Sequence, residues 1–343
     1  MPNASASHLS RRGLLAAGGA IGIGAALSAC GGGDSKSSAG TAKAGSGAWS
    51  FKDDRGKVAK AGSTPAKIVA FTGTAAALHD YGVEVVGVFG PTKTKDGKAD
   101  VQAGDLDISK VEILGNVWGE FNVEKYAALG PQLLITGMYD KGALWYVPDE
   151  SKDKVLELAP SVALMVARTS MPAALQRHAE LAASLGADLK AQKVTDARAR
   201  FEKAAARLRA AARANPKIRV LIGSAGADLF YISTPEPSAD LRYFKELGVN
   251  IVVPDKVDKQ GWFESLSWEN ADKYPADIIM MDNRTSALQP AALKSKPTWG
   301  ELPAVKAGQV IPRSTTDPIF SYDKCAPALD ALAEAIENAR KVG

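Results

Sequence analysis

From Lys67 onward the chain alternates short runs of consecutive apolar residues with longer stretches in which apolar positions recur every three or four residues. Short unbroken apolar runs are the mark of strands buried on both faces, and the three-to-four spacing is that of helices lying over them. The pattern predicts strands at 68–71, 85–89, 133–136, 162–166, 219–222, 251–253, 278–281 and 310–311, with helices between them. Such alternation gives an α/β protein built on parallel sheets. Ahead of these units, "WSFKDDRGKVAKA" alternates Trp49 and Phe51 and then places Asp53-Asp54-Arg55-Gly56 at a turn, a hairpin expected to pack on the first lobe.

One segment interrupts the alternation. From 171 to 214 the chain consists of helix formers apart from Gly186, with Leu175, Ala179, Ala182 and Leu185 spaced three or four apart. Strand-and-helix units flank it on both sides, so it reads as one long, stiff helix joining two α/β lobes and limiting how far they hinge. Pro216 marks the start of the second lobe. The expected organisation is a first lobe at 49–170, a strut at 171–215 and a second lobe at 216–343.

The N-terminal region reads differently. "SRRGLLAAGGAIGIGAALSAC" carries Arg11 and Arg12, an uncharged apolar stretch and then Leu27-Ser28-Ala29-Cys30, a twin-arginine export signal joined to a lipoprotein cleavage box. Residues 1–29 are expected to be removed and Cys30 to be lipidated, anchoring the protein to the cell membrane on its extracytoplasmic side. Residues 30–48, nearly all Gly, Ser, Ala, Thr and Lys, are expected to form a flexible tether. The only other cysteine is Cys325, so an acylated Cys30 leaves no intramolecular disulfide. The formal charge of +4 becomes +2 once Arg11 and Arg12 leave, because no acidic residue precedes Cys30, and nothing points to nucleic acid.

The sequence holds no G-x-S-x-G elbow, P-loop or H-E-x-x-H motif. His79 and His178 fall in predicted helices without a cluster of further ligands, which argues against a bare metal site. Aromatic and cationic residues gather instead where strands end, the usual place for ligands in open α/β sheets. "GMYDKGALWY" at 137–146 puts Tyr139, Trp145 and Tyr146 in the loop after the 133–136 strand; Phe89 ends the 85–89 strand before Gly90-Pro91, Trp118 and Phe121 lie in "GNVWGEFN", and the second lobe adds Tyr231, Trp262, Phe263 and Tyr322. Arg168, Arg284 and Arg313 follow three strand ends. A cleft with rings on both sides and a few convergent cations suits a large, partly polar organic molecule. Two readings stay open for each: the rings as lids on the core and the arginines as surface ion pairs, or both as ligand contacts.

"NVEKYAALGPQLLI" (122–135) and "SWENADKYPADIIM" (267–280) share an order of helix start, Glu at the third position, apolar helix, Pro and apolar strand. Glu124 and Glu269 therefore hold matching places on the two lobes. A carboxylate in a first turn also gains from the helix dipole, so capping alone accounts for either residue.

Cys30, "FKDDRGKVAKAGSTPAKIVAF", "EVVGVFG", "NVEKYAALGPQLLI", the long helical segment and "WGELPAVKAGQVI" together resemble the iron-siderophore and vitamin B12 type of substrate-binding protein that feeds ABC importers, the class III periplasmic binding proteins. The resemblance runs from about Trp49 to the C-terminus. It implies two Rossmann-like lobes joined by one long rigid helix, a ligand cleft between them, and a monomer that hands a ferric siderophore to a dimeric permease. It implies ligand contacts from Trp118 and Tyr139, with the wider set Phe89, Trp145, Tyr146, Arg168, Tyr231, Trp262, Arg284 and Arg313 as candidates. Relatives that bind hydroxamate siderophores often carry an arginine where Trp118 stands, a role that Arg284 or Arg313 would have to take over. It also implies permease docking through Glu124 and Glu269. On this reading the protein is no enzyme and has no cofactor of its own, iron entering only inside the siderophore. Haem, with Tyr139 or His79 as axial ligand, and a corrinoid are the alternative ligands, and an extracytoplasmic hydrolase is the alternative class.

Overall fold

The computed structural model describes residues 47–343 apart from Thr315. The export signal and Cys30 lie outside the described residues. The chain enters through a hairpin, β1 (Trp49–Lys52) and β2 (Val58–Ala61), paired antiparallel with Trp49 opposite Ala61. Trp49, Phe51 and Ala59 point into the first core. The turn is fixed by Asp53, whose carboxylate accepts from the Arg55 and Lys57 amides at 3.0 Å each and from the Ala163 amide at 3.1 Å. The hairpin expected on the first lobe is thereby bonded to that lobe's sheet.

The first lobe continues through β3 (Ile68–Phe71), α1 (Thr72–Asp80), β4 (Gly87–Phe89), β5 (Glu112–Ile113), α2 (Val123–Ala128), β6 (Leu133–Met138), α3 (Lys152–Leu158) and β7 (Ser161–Met165). Its sheet runs β5-β4-β3-β6-β7, all parallel. Ile68, Ala70, Leu133 and Ile135 enter one core while Val69, Phe71, Leu134 and Met138 enter another. That alternation on a sheet buried on both faces is why the strands read as unbroken apolar runs. The order reverses between β4 and β6, which puts the switch point beside β3.

The expected continuous helix from 171 to 214 is two helices, α4 (Met171–Ser184) and α5 (Gln192–Ala214). Gly186 ends the first at φ 102°, with its own amide bonded to the Ala183 carbonyl and the Ala187 amide to the Ala182 carbonyl, both at 3.0 Å. These are the two bonds of a glycine-terminated helix end, and they reverse the chain. The pair still spans the two lobes: Met171 and Leu175 pack in the second lobe's core and Leu181 and Leu185 in the first.

The second lobe holds β8 (Arg219–Ala225), β9 (Leu229–Ser233), α6 (Ala239–Glu246), β10 (Asn250–Ile251), β11 (Phe263–Ser267), β12 (Ile278–Asp282), three short helices α7 (Pro290–Leu293), α8 (Pro297–Glu301) and α9 (Pro303–Lys306), then β13 (Val310–Arg313) and α10 (Tyr322–Asn338). Strand β8 pairs in parallel with β12, which pairs with β13; its other edge is shared by parallel β10 and antiparallel β9, with β11 antiparallel beyond. Helices α5 and α10 pack through buried Leu208, Ala211, Leu329 and Leu332. Outside that seam Arg200 meets Asp323 and Arg207 meets Glu337, each at 2.6 Å. Buried Asp277 accepts from the Arg219, Val342 and Gly343 amides at 2.7–2.8 Å.

Gly186→Ala is expected to cost about 1–2 kcal/mol, since an L side chain is disfavoured at that φ. Leu332→Ala is expected to cost about 2–5 kcal/mol by opening a void in the α5–α10 seam. Thermal melting of each variant checks both. Burial alone would raise the Asp277 pKa, but its amide donors hold it below the usual carboxylate range. Its contribution is thus present above that range and lost as pH falls through the depressed value, so Asp277→Asn should flatten the acid limb of a melting-against-pH curve.

Candidate functional site

Strand β6 ends in a loop that folds back on it. The Trp145 amide donates to the Gly137 carbonyl at 3.0 Å and the Thr136 hydroxyl to the Trp145 carbonyl at 2.7 Å. Tyr146 follows at φ 61°, a conformation that non-glycine residues adopt only where the surroundings hold it. The loop thus presents Tyr139 and Trp145 to a cleft of about 550 Å³. Tyr231, Trp262 and Phe263 line the opposite wall, and Arg284, Arg313 and Asp317 also line it.

The rings form a continuous chain across the cleft. Trp118 lies 4.8 Å from Trp145, Trp145 4.3 Å from Tyr139, and Tyr139 5.8 Å from Trp262 between ring centres. Tyr231 and Phe263 meet edge to face at 5.2 Å. Such a surface offers both apolar area and ring-edge contacts to a ligand. The indole N–H of Trp145 is buried with no hydrogen-bond partner among the described residues.

Charge in the cleft is already paired. Arg284 donates through Nη1 to Asp317 at 2.9 Å and through Nη2 to Asp282 at 2.8 Å. Asp282 also accepts from the Ser224 hydroxyl at 2.8 Å. Burial would raise the Asp282 pKa and lower that of Arg284; the ion pairs more than reverse both, so each group stays charged. Arg313 binds Asp240 through two forked bonds of 2.8 and 2.7 Å, with both side chains almost wholly buried. The Tyr139 hydroxyl donates to Asp317, and burial first, then the Asp317 charge, keep that phenol protonated far above neutrality.

Of the ten candidate contacts, Tyr139, Trp145, Tyr231, Trp262, Arg284 and Arg313 line the cleft. Phe89 does not: β4 is covered on both faces and alternation turns this ring into the first lobe's core, fully buried against Phe71 and Phe121. Trp118, 63 % exposed, stands outside the lining as the first ring of the aromatic chain. Tyr146 packs against Phe71 and Trp118 behind it. Arg168, at φ 55°, ties the lobes together: its amide bonds the Pro237 carbonyl at 2.8 Å and its Nη2 the Gln260 carbonyl at 2.9 Å. His79 pairs with Glu84, and His178 is buried, bonded to the Ala174 carbonyl, with burial pulling its pKa down to about 4. Cys325 is buried and its thiol is pushed up by burial.

Glu124 and Glu269 are both exposed. Their settings differ from the expected match: Glu124 is in the first turn of α2, whereas Glu269 sits in a single 3₁₀ turn, Trp268–Asn270, because the second segment folds no α-helix there. The partners of the arginines, Asp240, Asp282 and Asp317, were not anticipated. "DNR" at 282–284 was their one local signal, an acid two residues before a strand-end arginine.

Residues 69–312 match the sequence profile of the family described as periplasmic binding protein. The chain is 66 % identical to DesE of Streptomyces coelicolor, a ferric-siderophore receptor protein, over 86 % of this chain and 100 % of that one, with a TM-score of 0.84. The petrobactin-binding protein YclQ of Bacillus subtilis shares the fold at a TM-score of 0.62 and 19 % identity, covering 85 % and 99 % of the two chains. The Fe(3+)-citrate-binding protein YfmC of Bacillus subtilis is 24 % identical over 258 residues, 75 % of this chain and 76 % of that one.

Arg313→Gln leaves the Asp240 carboxylate buried without its guanidinium partner, at an expected cost of about 3–5 kcal/mol. Arg168→Gln removes an exposed pair with Asp140 and an exposed bond to the Gln260 carbonyl while keeping the backbone bond to Pro237, and should cost no more than about 1–2 kcal/mol. Chemical denaturation of the two variants distinguishes the buried arginine from the bridging one.

Proposed function

Because the chain belongs to the periplasmic binding protein family, we propose that it is an extracytoplasmic solute-binding protein that captures a ferric siderophore between its lobes and delivers it to an ABC importer. The observation that carries this reading is the 66 % identity with DesE along the whole of that receptor. The cleft agrees in kind: it is large enough for a metal chelate and walled by aromatic rings from both lobes. The protein acts by binding alone, and iron enters only inside the siderophore.

The paired arginines support one siderophore class over another. A ferric catecholate or carboxylate is an anion and would need free cations. Here Arg284 is shared between two carboxylates and Arg313 is bound by a third. A complex without net negative charge, from a hydroxamate or mixed-donor siderophore, meets no such demand. Haem is less well served, since His79 does not line the cleft and the Tyr139 hydroxyl is engaged by Asp317.

Cys30 would carry the lipid anchor, with the Gly- and Ser-rich stretch after it as the tether to the membrane. No helix among the described residues is long and apolar enough to cross a membrane. A monomer would then meet a two-subunit permease through Glu124 on one lobe and Glu269 on the other, each exposed and able to pair with a permease arginine.

Tryptophan fluorescence titrated with ferric hydroxamates, ferric catecholates, ferric citrate, haem and cobalamin should quench most tightly with a hydroxamate complex, with little salt dependence. Tight binding of haem or cobalamin, or of none of the iron complexes, would contradict the reading. Changing Glu124 and Glu269 together to alanine should abolish uptake in cells while leaving affinity in solution unchanged. Continued transport by that double variant would leave Glu124 with a capping role on α2 and Glu269 with none at the permease.

A further inference from the structure

We propose that Asp317 is the specificity-determining residue of the cleft, the carboxylate that fixes the charge of the ferric complex it accepts. This rests on the reading of the cleft as a ferric-siderophore site and names the residue that filters its ligands.

Two guanidiniums face three carboxylates in and beneath the cleft: Arg284 with Asp282 and Asp317, Arg313 with Asp240. Asp282 and Asp240 each match one arginine. Asp317 is the second carboxylate on Arg284, and it brings the described groups to a net charge of −1. The Arg168–Asp140 pair at 3.3 Å adds nothing to that balance. Asp317 lies on the connection after β13, with its side chain 8 % exposed against 1 % for Asp282. Asp282 is thus the structural partner, and Asp317 is the one that borders the ligand space.

An excess carboxylate in a mostly buried place is costly to the fold unless it is fully paired. Asp317 is held there from both lobes, by the Tyr139 hydroxyl on one oxygen and by Arg284 Nη1 at 2.9 Å on the other. The second bond occupies the edge of the guanidinium that would otherwise turn to an anionic ligand, since Nε and Nη2 are both committed to Asp282. Asp317 therefore acts twice on an incoming anion: it removes the cation that would bind it and supplies a like charge that repels it. A neutral or cationic complex meets neither obstacle.

The test compares wild type, Asp317→Asn and Asp317→Asn with Arg284→Gln, using a neutral linear ferric trihydroxamate, a trianionic ferric tris-catecholate and ferric citrate as probes. Wild type should prefer the trihydroxamate. In Asp317→Asn the preference over the two anions should narrow by at least about ten-fold, and anion binding should weaken as salt rises. Adding Arg284→Gln should erase that gain, because the freed guanidinium is what binds the anion. Asp317→Ser removes the same charge without setting an amide against Arg284, and serves if the Asn variant melts abnormally. An unchanged preference in a folded variant, or equal weakening of all three probes, overturns the assignment while leaving the siderophore reading intact. Failure of wild type to bind any of the ferric probes overturns both.

Discussion

Arg284 donates to Asp282 at the end of its own strand and to Asp317 on the connection after β13, and Asp317 accepts the hydroxyl of Tyr139 from the other lobe. This buried chain of charge and hydrogen bonds runs from one sheet to the other along the cleft. Each member constrains the next: Asp282 is anchored by Ser224 on β8, and Tyr139 lies between Trp145 and Trp262 in tilted ring contacts. The aromatic walls keep their spacing because the polar groups beneath them are tied across the lobes. Charged groups in so little solvent interact strongly, so a change at one of them is felt by all.

Further ties cross between the lobes. Asp100 accepts from Thr285 at 2.7 Å, Asp80 from Ser321 at 2.5 Å and Asp105 from Lys324 at 2.6 Å, while Arg168 bonds two carbonyls of the second lobe. Ser321 also caps α10, the helix that lies along α5. The helical connection, though broken at Gly186, inserts side chains into both cores. Lobes joined at so many points around the cleft form a receptor whose binding surface is largely preformed, which lowers the ordering cost of taking up a ligand.

Much of this was legible in the chain. The central strands of both sheets announced themselves as apolar runs because both of their faces are covered, as Val69 and Ala70 show by entering different cores. The hairpin was equally plain from its turn residues. Strands β9 and β11 were not: Glu264, Ser265 and Ser267 interrupt the apolar positions of β11, and without that partner the short run 229–232 of β9 stood alone, so Tyr231 and Phe263 were not placed on strands. Gly186 alone in a run of helix formers is no stop signal; its positive φ and the two bonds around it make the helix end. Among the residues lining the cleft, Tyr139, Trp145, Arg284 and Arg313 stand out in the sequence by their places at or after strand ends. Their acidic partners were missed because Asp240 lies 73 residues from Arg313 and Asp317 lies 33 from Arg284, and no local pattern relates such distant charges. Phe89 was misplaced since a strand-end aromatic can point into a core as readily as into a cleft.

On the proposed function, the space between Tyr139 and Trp145 on one side and Tyr231 and Trp262 on the other receives the ferric complex. The most direct measurement is anomalous diffraction at the iron edge from crystals grown with a ferric trihydroxamate. One strong iron peak is expected within the cleft, bordered by those rings and by the Arg284–Asp317 pair. An iron peak elsewhere on the molecule, with the cleft holding only solvent, would contradict it.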